Sequence, residues 1–100
     1  MEIKKDKENG VTVLRVIGQL TSPTSPLLAA VIDNVLKEEN NLILDFEKLD
    51  YLASSGIRVL LVTQKKINAA KGALVLRHVN DVVMDIFEMT GLNDFLTIEK

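Results

Sequence analysis

Leu49-Asp50-Tyr51-Leu52-Ala53-Ser54-Ser55-Gly56-Ile57-Arg58-Val59-Leu60-Leu61 leads two adjacent serines and a glycine into an apolar repeat. Ile57, Leu60, Leu61 and Ile67 recur at the spacing of one helical face, which predicts a helix from about residue 55 to 71 with that stripe buried. Gly72 stands where a C′ glycine would terminate it. Before the helix, Leu42-Ile43-Leu44-Asp45-Phe46 is a short apolar run of the kind found in buried strands, with residues 47–53 as a connecting loop. After it, Ala73-Leu74-Val75-Leu76-Arg77 reads as another strand. Strand, helix and strand in that order predict a right-handed parallel crossover.

Working outward, Val11-Thr12-Val13-Leu14-Arg15-Val16-Ile17 is β-rich and largely alternating, and Gly18 is expected to end it. Residues 2–6 form a candidate partner strand, turning at Asn9-Gly10, a favoured hairpin pair. A loop over residues 21–26 follows. Ser25 then Pro26 predicts a helix start, with Ser25 as N-cap and proline where no N–H is needed. Leu28, Val31, Ile32, Val35 and Leu36 extend this helix to about Glu38. Near the C-terminus, Asn80 or Asp81 caps a third helix, Gly91 closes it, and residues 96–98 form a weak final strand. The order β-β-α-β-α-β-α-β predicts one α/β domain over residues 1–100 with a mixed sheet, and three helices are few to cover both of its faces.

Of the 100 residues, 47% are hydrophobic and 26% charged, which fits a folded domain and excludes disorder. A formal charge of -2 gives no broad basic footprint, which argues against nucleic-acid binding. No apolar run approaches the ~20 residues that span a bilayer, and Met1 to Gly10 shows no leader-like apolar core. The cytoplasm is the expected location, without membrane insertion. No cysteine is present, which excludes disulfides and thiolate chemistry, and one histidine, His78, excludes a multi-histidine metal site.

Catalytic signatures are missing: no phosphate-binding glycine loop, no zinc-protease helix and no nucleophile elbow. His78 reads as a partly exposed strand-end residue rather than a triad member. Asp45, Glu47 and Asp50 are the type of group that holds Mg²⁺, but they lack a defined ligand spacing, and turn and solvation chemistry accounts for them. No catalytic residue, metal or cofactor is assigned, and the chain reads as a non-enzyme.

The serine pair is the informative feature. Ser54 or Ser55 can cap the helix, and one cap suffices, leaving the other hydroxyl accessible beside a glycine. A phosphate there would meet free helix N–H groups at the positive end of the macrodipole. It would place a charge near -2 on a surface without unfolding the domain, the physics of a binding switch. Val59, Val62 and Thr63 lie together off the main stripe, and the two valines are candidates for a partly exposed patch beside the serine.

Gly18-Gln19-Leu20 before the Thr/Ser-rich loop, Leu44-Asp45-Phe46, Ala53-Ser54-Ser55-Gly56-Ile57-Arg58-Val59-Leu60-Leu61, the Gly72–Leu76 segment and Gly91-Leu92 together resemble a STAS domain of the bacterial anti-sigma factor antagonist type. The resemblance spans essentially the whole chain and implies a single α/β domain, a small mixed sheet with helices packed mainly on one face. It implies a protein that binds an anti-sigma factor, usually a serine-protein kinase, and so frees a sigma factor for transcription. It also implies that the kinase phosphorylates the serine before the helix glycine, here Ser55, and that a phosphatase restores the protein. The implied partner surface comprises Thr21, Ser22, Ser54, Ser55, Gly56, Arg58, Val59 and Val62. Thr21 and Ala53 stand where many members carry aspartate. An alternative within the resemblance is a soluble subunit of a membrane lipid-transport complex, or a module sensing a nucleotide or other small ligand. The expected state is a monomer or weak dimer.

Overall fold

In the computed structural model, which describes residues 1–99, the chain opens as a hairpin. β1 (Glu2–Glu8) pairs antiparallel with β2 (Val11–Leu20). Asn9 and Gly10 between them have left-handed φ angles of 52° and 83°. This is the conformation of a tight hairpin turn, and Asn-Gly tolerates it at low cost.

β2 does not end at Gly18. That residue, at φ 107°, takes up a register shift before Gln19, and the strand runs on to Leu20. The glycine acts as a bulge that re-aims the strand. Thr12 to Arg15 pair in parallel with β3 (Leu42–Asp45), and Gly18 to Leu20 pair in parallel with β4 (Leu49–Leu52). β4 lies in the segment expected to be loop. Leu49 and Leu52 are buried while Asp50 and Tyr51 are exposed, so this short strand shows no two-residue alternation.

The remaining elements are α1 (Ser25–Leu36), α2 (Ser54–Ala69), β5 (Leu74–Arg77), α3 (Asp81–Thr90), a 3-10 turn (Leu92–Asp94) and β6 (Thr97–Ile98). The sheet order is β1-β2-β3-β5-β6, with β4 on the far half of β2. β2, β3, β5 and β6 are parallel, and β1 supplies the antiparallel edge, giving the mixed sheet expected.

Leu14, Leu44 and Leu76 stand abreast on three neighbouring strands. They form one core with Leu28, Ile32 and Val35 of α1, Leu60 and Ile67 of α2, and Val83 and Phe87 of α3. The next residue on each strand, Arg15, Asp45 and Arg77, is again in register. Pleating sends this charged row to the opposite face, so the helices bury the leucine face.

Helix termini differ from expectation in three places. α1 starts at Ser25 with Thr24 as its flanking residue, because the Ser25 N–H already bonds the Thr21 carbonyl at 2.8 Å in a preceding turn. α2 starts at Ser54 after Ala53, so neither serine is the cap. At the far end Lys71, not Gly72, takes the left-handed φ of 60°. Gly72 is needed there because a Cβ would lie 1.8 Å from the Asn40 carbonyl oxygen. α3 matches expectation: Asn80 Oδ1 accepts from the Val83 N–H at 3.0 Å, and Gly91 closes the helix at φ 74°.

Candidate functional site

α2 leaves β4 through Ala53, whose N–H bonds the Leu20 carbonyl at 2.8 Å and whose carbonyl accepts from the Ile57 N–H at 3.1 Å. Both serines therefore lie inside the first helical turn with side chains free of capping. Ser54 is exposed and Ser55 half-buried. Ser55 Oγ lies 3.1 Å from Ser25 Oγ, and Ser25 Oγ donates to the Thr21 carbonyl at 2.7 Å. A serine hydroxyl has one proton. With that of Ser25 committed to Thr21, Ser55 is the donor in the pair, and among the described residues no donor reaches its own lone pairs.

Ser22, Ser25, Pro26, Ser54, Ser55, Arg58 and Val59 line an open cavity of about 450 Å³ at the N-termini of α1 and α2. Among the described residues its rim carries one guanidinium and no carboxylate. A narrower groove of about 190 Å³ continues between the helices along Ala29, Asp33, Arg58, Val59, Val62, Thr63 and Lys66. Five of the eight residues singled out from sequence (Ser22, Ser54, Ser55, Arg58 and Val59) meet in the cavity, and Val62 lies in the continuing groove. Thr21 sits behind the cavity, orienting Ser25 through its carbonyl. Gly56 is buried underneath: a Cβ on it would come within 2.6 Å of Leu52 and 2.8 Å of Leu20. It lets α2 press onto the paired β2 and β4 rather than offering a surface.

Val62 is 44% exposed and Val59 half-buried, but Thr63 turns inward, 3% exposed, with its hydroxyl donating to the Val59 carbonyl at 2.7 Å. That bond satisfies the hydroxyl, so the buried stripe runs Gly56, Leu60, Thr63 and Ile67, while Ile57 and Leu61 are only half-buried. Ser25, Pro26 and the exposed Leu27 beside them were absent from the sequence-based site. The Ser-Pro pair signals a helix start, and that reading conceals a second use for the hydroxyl.

The acidic triplet is not assembled as a unit. Asp45, Glu47 and His78 bring ligand atoms within 4.8 Å of one another, without Asp50. Asp45, 4% exposed, is already occupied: its Oδ2 faces His78 Nδ1 at 3.0 Å and Arg77 Nη2 at 3.3 Å, and its Oδ1 accepts from the Glu47 N–H at 3.0 Å. Arg77 in turn holds Glu8 through two bonds of 2.9 Å. Burial alone would raise the Asp45 pKa. The Glu47 N–H, His78 and Arg77 outweigh it and hold the carboxyl below its ordinary value. This is a structural ion network on the face opposite the helices, and His78 is the exposed strand-end residue expected.

Among the described residues no helix is long and apolar enough to cross a membrane. The STAS domain family matches residues 2–100. BtrV of Bordetella bronchiseptica, named as a candidate anti-sigma factor antagonist, is 33% identical over 99 residues, covering 98% of this chain and 83% of that protein. The anti-sigma F factor antagonist of Paenibacillus polymyxa is 27% identical over 100 residues, covering 98% of this chain and 86% of the relative. Among solved structures, the anti-sigma factor antagonist SpoIIAA in its unphosphorylated form superposes with a TM-score of 0.83 at 20% identity, over 99% of this chain and 89% of that one. The Bacillus SpoIIAA in its phosphorylated form gives 0.76 at 20% identity, over 99% and 92%. These structures share the fold. With the family match running over nearly every residue, the chain belongs to the STAS domain family.

Proposed function

We propose that this chain is an anti-sigma factor antagonist that binds its anti-sigma factor through the cavity and groove between α1 and α2, and that phosphorylation of Ser55 releases it. The observation that carries the reading is the Ser55 hydroxyl, with open lone pairs, in an exposed cavity at a helix N-terminus. The names of the curated relatives support the same role. The anti-sigma factor is of the serine-kinase type, and a separate phosphatase returns the phosphoserine to serine.

The switch acts on the partner rather than on the fold. A phosphate on Ser55 meets first-turn N–H groups and has Arg58 one turn further along α2. Among the described residues no carboxylate lines the cavity to oppose it. The modified domain stays folded, and the added charge lies where the partner must desolvate its own surface. Ser22, Ser54, Arg58, Val59 and Val62 supply the contact area, with Thr21 and Gly56 acting from beneath. The test is to incubate the chain with its cognate anti-sigma kinase and ATP and to map the phosphate by mass spectrometry. Incorporation at Ser55, abolished in Ser55→Ala, is expected; incorporation at Ser54 instead, or none, contradicts the assignment.

A further inference from the structure

The formal charge of -2 conceals an uneven distribution. Residues 79–99 contain Asp81, Asp85, Glu88, Asp94 and Glu99 and no lysine or arginine. Among the described residues, none of the first four takes part in an ion pair. The same segment holds three of the most exposed large apolar side chains of the molecule: Val82 at 55%, Met89 at 85% and Phe95 at 73%. Val82, Asp85 and Met89 follow one another at three- and four-residue spacing, so they form a stripe on α3. The inner face of α3 is already occupied, with Val83 and Phe87 fully buried in the core. The exposed stripe is therefore surplus to the packing of the helix.

We propose that the outer face of α3 and the turn that follows it form a second docking surface, which takes a cationic amphipathic helix from a partner protein. Apolar centres with a charged rim are the usual anatomy of a protein interface. A rim of one sign selects a partner of the other and speeds its encounter. A helix that sets Lys or Arg within its apolar seam matches Val82 and Met89 with Asp85 between them, flanking Lys and Arg match Asp81 and Glu88, and Phe95 adds an exposed apolar side chain after the turn. Nucleic acid and anionic lipid are repelled by the same rim. This surface belongs to α3 and not to the α1–α2 groove, so it operates independently of the state of Ser55.

The test titrates the ¹⁵N-labelled full chain with a designed amphipathic Leu/Lys helical peptide and its Leu/Glu counterpart. The Leu/Lys peptide is expected to shift amides of residues 79–96, to weaken with added salt, and to lose affinity about tenfold or more when Met89→Ser and Phe95→Ser are combined. Both positions are exposed, and an unchanged Tm checks that the fold is retained. Combining Asp85→Lys with Glu88→Lys should transfer the preference to the Leu/Glu peptide, and Ser55→Glu should change nothing. No binding, shifts centred on α2, or equal affinity in the Met89→Ser/Phe95→Ser variant would overturn the proposal. So would self-association of the free chain that this variant abolishes, which would assign the face to a second copy.

Discussion

The bond between Ser55 and Ser25 has a direction, and the direction decides what Ser55 is free to do. Because Ser25 spends its proton on the Thr21 carbonyl, removing the Ser55 hydroxyl strands no buried donor. Ser55→Ala is therefore expected to change stability by less than about 1 kcal/mol in chemical denaturation. Gly72 behaves differently. A Cβ there meets the Asn40 backbone carbonyl at 1.8 Å, and no rotamer change relieves a clash with backbone. Gly72→Ala should cost about 2–3 kcal/mol in urea denaturation, and a change under 0.5 kcal/mol would show that the residue 40–41 segment yields freely. At this scale the serine pair stood out as two adjacent hydroxyls before a glycine at a helix start, although neither caps the helix as the sequence reading supposed. Ser25 was not, because its bond to Ser55 joins residues thirty positions apart in the chain.

At the level of elements, the helices of the chain were legible from their apolar spacing, and two features were not. β4 is four residues long with adjacent exposed positions, Asp50 and Tyr51, and is specified by its pairing with the end of β2 rather than by its own pattern. The α2 stripe was displaced by one position because Thr63 counts as polar in sequence, yet it buries its hydroxyl against the Val59 carbonyl. That displacement leaves Val62 on the surface. Val62→Ser should leave thermal stability within about 0.5 kcal/mol of wild type. It should weaken anti-sigma factor binding several-fold or more in calorimetric titration. Undiminished affinity would move the interface away from the groove.

Across the whole molecule, the sheet separates two kinds of chemistry: leucines abreast beneath the helices, and the Arg15–Asp45–Arg77 row on the other face. The parallel pairing of strands joined by helices followed from their alternation along the chain, whereas the order of strands across the sheet and the charged row depend on pairing and register, which no single strand reveals. Asp45 has a folded-state pKa below its ordinary 3.8. Its charged form thus contributes stability that is complete above about pH 4 and is lost as pH falls through the folded-state value. Asp45→Asn should lower Tm at neutral pH, and the gap from wild type should narrow as pH drops below about 4. A gap that stays constant from neutral to strongly acidic pH would remove the carboxylate charge from the account. The central claim concerns the other face, and it rests on the charge state of Ser55. The most direct measurement is the Kd of the cognate anti-sigma factor for the unmodified chain and for the same chain enzymatically phosphorylated at Ser55. An unpaired charge at an interface costs about 2–5 kcal/mol, so phosphorylation is expected to weaken binding by roughly 30-fold or more, with the circular dichroism spectrum unchanged. Equal affinity for the two forms would contradict the switch.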